Sequence, residues 1–247
     1  MKWFILISSA VCLNSFAACP QNATQKQMNP AETNQQVGGP CEGCEAIYES
    51  PVPFEQLNET DTLPGFNDVG TKIEISGIIY QADGKTPAAD VVLYIYHTNQ
   101  QGIYEKKGDE KGWAKRHGYI RGWIRTNARG QYKFYTLVPA SYPNSSNPRH
   151  IHPVVKEPGK NEYWIDEFVF DNDPLLTEKE KTRPNAVGGP GVLKPTMKDG
   201  MLRASRHITL GLNVAGYPKA AFIISKPDLA MGMNVQFFMH PVFSGME

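Results

Sequence analysis

"TKIEISGIIY", residues 71–80, decides how the rest of the chain is read. Ile73 and Ile75 alternate with Lys72, Glu74 and Ser76, the period-two pattern of a strand with one buried and one wet face. The turn "ADGKT" (82–86) follows, then "VVLYIYH" (91–97), a β-branched and aromatic run. "GWIRT" (122–126), the turn "NARG" and "QYKFYTL" (131–137) predict a hairpin. "RHIHPVV" (149–155) and "YWIDEFVF" (163–170) predict another strand pair, and "RHITLGLNV" (206–214) a closing strand. Short strands with turns between them, and no long 3.6-period segment, predict an all-β chain, a β-sandwich with long loops and little helix. The one helical candidate is "PLLTEKEKT" (174–182), with Thr177 as its cap. Residues 183–200 form a long Gly/Pro loop of the kind that often carries function.

The flanks divide the chain. Lys2, the apolar run Trp3–Leu13 and the small residues before Cys19 predict a secretory signal over 1–19. "SFAAC" suits two outcomes, cleavage near Ala17 or Ala18 to release the protein, or lipid attachment at Cys19 to tether it. Either way the chain is exported, secreted or held at the cell envelope, and only a lipid at Cys19 would join it to a membrane. Residues 20–40 are rich in Gln, Asn, Pro and Gly and read as a linker. With 41–70 they make up the N-terminal lead-in to a main domain over 71–216, followed by an extension over 217–247 of unassigned role. "CEGC" places Cys41 and Cys44 where an oxidising compartment favours a local disulfide over a zinc half-site.

Lys+Arg and Asp+Glu both number 25, so the formal charge is zero. That balance gives no basis for a nucleic-acid or anionic-membrane partner, both of which call for a basic excess. The expected partners are small molecules.

Two of the six histidines stand one residue apart in "SYPNSSNPRHIHPVV" (141–155). In an extended segment His150 and His152 share a face and Ile151 points the other way, which makes half of a metal site. Tyr142 lies in the Pro-flanked turn "LVPASYPN", and Tyr104 lies just past strand 91–97. A bound cation can lower a phenol's pKa enough for it to bind as phenolate, and phenolate with imidazole suits ferric iron. On spacing alone these remain two ordinary tyrosines among eleven.

The ordered run "ISGIIYQADGKTPAADVVLYIYHTNQQGIY…GWIRTNARGQYKFYTLVPASYP…PRHIH" resembles the catalytic domain of the intradiol ring-cleavage dioxygenases, the catechol and protocatechuate family, over residues 70–175. The resemblance implies ferric iron held by Tyr104, Tyr142, His150 and His152, with Tyr142 and His152 as the axial pair. It implies that a small catecholic diol and dioxygen react there, that Tyr142 gives way to the diol and takes up a proton, and that the product is a muconate-type diacid. Two positions depart from the family pattern. The arginine of R-P-x-H-x-H is Asn147 here, with Arg149 directly before His150. If 149–152 is extended, Arg149 shares a face with Ile151, away from the metal, so it is a candidate for the arginine's role only by turning back. Arg121 and Arg125 are the substitutes, and otherwise the role is vacant. The position of a glutamine on the following strand is Glu167, an added carboxylate that would disfavour acidic substrates or pair with a displaced arginine. These departures keep open a second reading, an exported metal- or aromatic-binding β-sandwich module without turnover.

Overall fold

A computed structural model describes residues 36–218 of the chain. The signal expected over 1–19, with Cys19, and the extension from residue 219 onward lie outside the described residues. In chain order the strands are β1 (Thr60–Thr62), β2 (Lys72–Tyr80), β3 (Val92–Tyr96), β4 (Arg121–Arg125), β5 (Gln131–Leu137), β6 (His150–Lys156), β7 (Glu162–Trp164), β8 (Phe168–Phe170), β9 (Val192–Leu193), β10 (Thr196–Lys198), β11 (Met201–Ser205) and β12 (Ile208–Thr209). Two short helices, α1 (Ala114–His117) and α2 (Glu178–Lys181), lie in the connections. One sheet runs β1-β5-β2-β11-β10, with β12 also on β2; the other runs β4-β3-β6-β8-β9, with β7 also on β6.

The core lies between the sheets. Ile73 and Ile75 of β2 and Phe134 of β5 form one cluster with Leu93, Ile95, Ile151, Val155 and Phe168 of the other sheet. Phe134 meets Phe168 edge-on, with ring centroids 5.8 Å apart. The expected β-sandwich is the architecture found.

The run 91–97 does not alternate, and the fold explains why. A 3-10 turn, Cys44–Glu49, packs Ala46 and Ile47 onto the outer face of the second sheet against Val92, Tyr94, Trp123 and Val154. Trp123 Nε1 donates to the Ile47 carbonyl at 2.8 Å. Both faces of β3 are therefore buried, and a strand covered on both faces reads as a continuous apolar run. Cys41 and Cys44 form a disulfide at the start of this cover.

Four expectations are corrected. First, "GWIRT" and "QYKFYTL" are not a hairpin: β4 pairs with β3 and β5 with β2, so "NARG" carries the chain from one sheet to the other. A tight turn between apolar runs serves a hairpin and a corner alike, so adjacency alone does not separate them. Second, within 206–214 only Ile208–Thr209 is a strand, because Gly211 (φ 72°) and Asn213 (φ 57°) turn the backbone out of the extended region. Third, the loop 183–200 contains β9 and β10. Fourth, the linker ends before residue 40, since Val37 is 1% exposed and belongs to the core. The helix stands as expected: Thr177 and Glu180 form a capping box at α2.

His97 is a structural histidine, only 1% exposed. Its Nδ1 bonds the Thr98 carbonyl and its Nε2 the Thr136 hydroxyl, both at 2.7 Å. Burial holds its pKa down to about 4, and burial does the same for His117. An unfolded imidazole takes up its proton near pH ~6.5, so below that pH the unfolded state binds more protons than the native state. The stability these histidines give is complete above pH ~6.5 and is lost as pH falls toward 4, with a slope that approaches one proton for each. Urea titrations at pH 7, 6 and 5 are expected to show this slope, and His97→Gln to reduce it by one proton. An unchanged slope in the variant would remove His97 from the account.

Candidate metal centre

The centre is assembled at one end of the second sheet. Antiparallel pairing of β3 and β6 sets His152 opposite Tyr96, so the end of β3 and the beginning of β6 lie side by side. Ile151 is fully buried in the core, whereas His150 and His152 are half-buried on the opposite face. Pro153 has no N–H to donate, and it falls where the neighbouring strand is interrupted between β7 and β8. That interruption, Ile165–Glu167, brings Glu167 beside His152.

Tyr104 and Tyr142 come from two loops that are tied together. The Asn99 side chain accepts from the amides of Gln101 (2.9 Å) and Ile103 (3.1 Å), which closes a tight turn at Gly102 (φ 75°). Asn99 also accepts from the Ala140 amide through its carbonyl at 3.2 Å, and the Thr98 hydroxyl donates to the Ala140 carbonyl at 2.7 Å.

The four donor atoms meet. The phenol oxygens of Tyr104 and Tyr142 are 2.5 Å apart, and His152 Nε2 lies 2.8 Å from Tyr104 and 3.2 Å from Tyr142. His150 Nε2 lies 3.0 Å from the Tyr142 oxygen and 3.0 Å from His152 Nε2. His150 Nδ1 donates to the Pro148 carbonyl at 2.7 Å, which leaves its Nε2 as a bare lone pair facing another ring nitrogen. A cation bound among these atoms would take up the lone pairs that they turn toward one another. Donors held about 2 Å from one ion stand roughly 2.8–3.3 Å from each other, so the set fits a small metal ion. Among the described residues no group of three or more His, Cys, Asp or Glu could hold a metal; a complete ligand set here requires the phenols.

The electrostatics make the same demand. Burial raises the pKa of both Tyr104 and Tyr142, and for Tyr104 the bond to Tyr142 adds to it. Burial and the neighbouring His150 push His152 down to about 3. The pocket thus favours neutral phenols and a neutral imidazole, and only a strongly charged cation would make the phenols ionise.

The centre opens into a cleft of about 560 Å³, lined near the donors by Tyr142, His150, His152 and Glu167. Tyr104 is not among the lining residues. Glu167 Oε1 stands 3.8 Å from His152 Nδ1. The structure does not bring Arg149 into the cleft, which corrects that expectation. Its Nη2 donates to Asn172 (2.8 Å), its Nε faces Asp173 (3.3 Å), and its guanidinium lies over Phe170. As alternation in β6 requires, Arg149 follows Ile151 rather than the histidines. Arg121 pairs with Glu49 and Arg125 with Asp90, both away from the cleft. The arginine that does line the cleft is Arg183, which is paired with Asp166 at 2.9 Å.

Sequence reading also missed Tyr96, whose ring stacks on His152 (4.6 Å, 18°) and on His117 (3.8 Å, 6°). His117 is in turn bonded to the Tyr94 hydroxyl at 2.8 Å. Alternation along β3 puts Tyr94 and Tyr96 on one face, but nothing in it says that this face backs a ligand.

Residues 46–183, more than half of the chain, match the protein-family model Dioxygenase_C, described as dioxygenase. The protocatechuate 3,4-dioxygenase beta chain of Burkholderia cepacia is 27% identical over 114 residues, covering 44% of this chain and 48% of the relative. Catechol 1,2-dioxygenase 2 of Acinetobacter lwoffii is 27% identical over 169 residues, covering 61% and 58%. The chain thus spans about half the length of the curated relatives it matches. Among solved structures, catechol 1,2-dioxygenase from Acinetobacter sp. ADP1 aligns at 20% identity with a TM-score of 0.47, covering 61% of this chain and 56% of that one.

Proposed function

The chain belongs to the intradiol dioxygenase family, and from that premise we propose that it cleaves a catecholic ring between its two hydroxylated carbons. The diol and dioxygen combine to a muconate-type diacid, with both oxygen atoms in the product and no external reductant. The observation that carries this reading is the convergence of two phenol oxygens and two imidazole nitrogens beside an open cleft, with five of their six pairings at 2.5–3.2 Å.

Tyr104, Tyr142, His150 and His152 are the residues that would hold ferric iron. Bound there, the ion lowers the diol's pKa and collects diol and dioxygen at one centre. Pro148 fixes the tautomer of His150, and Tyr96 holds the plane of His152. Of the two phenols, Tyr142 lines the cleft and Tyr104 stands behind it, so Tyr142 is placed to take a proton that the diol gives up. A cleft of about 560 Å³ is far larger than a bare catechol needs, and it suits a diol with a sizeable substituent. The leader read in residues 1–19 puts this activity outside the cytoplasm, and the Cys41–Cys44 disulfide suits such a compartment.

The position of Arg149 favours the second reading, binding without turnover. One experiment separates the two. Iron-loaded protein should show a visible tyrosinate-to-iron band that shifts on adding catechol, with oxygen consumed under air, and Tyr142→Phe should alter the band. A shifting band without oxygen uptake by any of several diols would leave the binding module. A protein that takes up no ferric iron would remove the site.

A further inference from the structure

We propose that Glu167 selects the charge of the diol, so that the cleft admits catechols with neutral or cationic substituents and turns away those that carry a carboxylate. This rests on the ring-cleavage reading for the identity of the ligand, but not for the sign of the field.

Other charged groups of the cleft are committed elsewhere. Asp166 pairs with Arg183 at 2.9 Å and accepts from the Val187 amide at 3.2 Å. Glu180 is held by the Thr177 amide (2.8 Å) and hydroxyl (2.6 Å) in the capping box. Lys181 is paired with Glu178 at 2.7 Å. Glu167 differs from all of these. Among the described residues no hydrogen bond reaches its carboxylate, and the nearest basic atom, His152 Nδ1 at 3.8 Å, is beyond hydrogen-bonding distance. An imidazole that ligates a metal is neutral and makes no ion pair with Glu167. The buried Arg206, which feels the Glu167 charge through space, donates to two backbone carbonyls instead of pairing with this carboxylate.

The backbone that carries this carboxylate is held in place. Arg206, 4% exposed, donates from Nη1 to the Asp166 carbonyl at 2.6 Å and from Nη2 to the Gly189 carbonyl at 3.0 Å. The Val169 amide donates to the Gly191 carbonyl at 3.0 Å, and Gly191 packs so tightly on the Glu167 carbonyl that any Cβ there would collide with it. The side chain is 46% exposed and lines the cleft next to the donor set. A carboxylated substituent brought beside it meets a like charge at short range, and its natural counter-ion, Arg183, is already taken by Asp166. Specificity of this kind comes from a repulsive element rather than from tighter contact with the favoured ligand.

The test compares 3,4-dihydroxybenzoate, its methyl ester and dopamine on the iron-loaded full chain. Dissociation constants come from the diol-induced spectral change, and kcat/KM from oxygen uptake. The ester and the amine are expected to bind at least about tenfold more tightly than the acid at low salt. Raising the ionic strength should narrow that ratio, and Glu167→Gln should bring it within about threefold, chiefly by tightening the acid. An unchanged ratio in Glu167→Gln, or a native protein that prefers the acid, would overturn the proposal. If the binding ratios behave as stated but none of the diols consumes oxygen, ring cleavage fails and charge selection stands. If no diol binds, both fail.

Discussion

His152→Ala is expected to lose ferric iron, with retention falling by more than about a hundredfold, beyond what removal of a supporting outer partner costs. His152 is the hub of the donor set: its Nε2 lies within 3.2 Å of the other three donor atoms, whereas close contacts of His150 Nε2 run to Tyr142 and His152. The fold should survive, because the His152 backbone is carried by the pairing of β6 with β3 and the neighbouring Ile151 stays locked in the core. Iron content by mass spectrometry, read with the visible band and the melting temperature, separates a lost ligand from a lost fold. His150→Ala should be the milder of the two. Stoichiometric iron with an unaltered band in His152→Ala would show that these four donors are not the metal's ligands.

Gly102→Ala is expected to damage the same centre without touching a ligand. At φ 75° the backbone of Gly102 is in the left-handed region, which costs a residue with a Cβ about 1–2 kcal/mol. A Cβ at this position would also collide with the Ser141 carbonyl. Relieving that collision separates the loop that carries Tyr104 from the turn that carries Tyr142, so a total loss of about 2–4 kcal/mol is expected together with weakened iron binding. Gly159 supplies the comparison, with a similar φ of 74° and open space around its missing Cβ. Gly159→Ala should lose only the backbone share and keep its iron. Equal iron content in the two variants, with equal melting temperatures, would show that the contact between these loops does not set the spacing of the phenols.

Some of the architecture was legible because it is local. Alternation in 71–80 depends on a single strand and a single buried face, and it appears as read: Ile73 and Ile75 inward, Lys72 and Glu74 outward. The cap at Thr177 depends on four consecutive residues and likewise needs no tertiary partner. Pairing between sheets is different. Nothing near "NARG" says which of two apolar walls "QYKFYTL" will join, because that depends on partners such as β2, more than fifty residues earlier in the chain.

The same division runs through the site. Two imidazoles one residue apart on a strand must share a face, so the sequence alone determined that His150 and His152 point together and that Arg149 points with Ile151. It also determined that two tyrosines stand at strand ends, but not that they touch. Tyr104 and Tyr142 are 38 residues apart, and their 2.5 Å approach exists only because the Asn99 turn and the Ala140 backbone are bonded to each other. Tertiary structure alone decided which charges in the cleft cancel. Whether a carboxylate is neutralised depends on the cation that folding brings within a few ångströms, which gave Asp166 to Arg183 and, among the described residues, left Glu167 with only His152 at 3.8 Å.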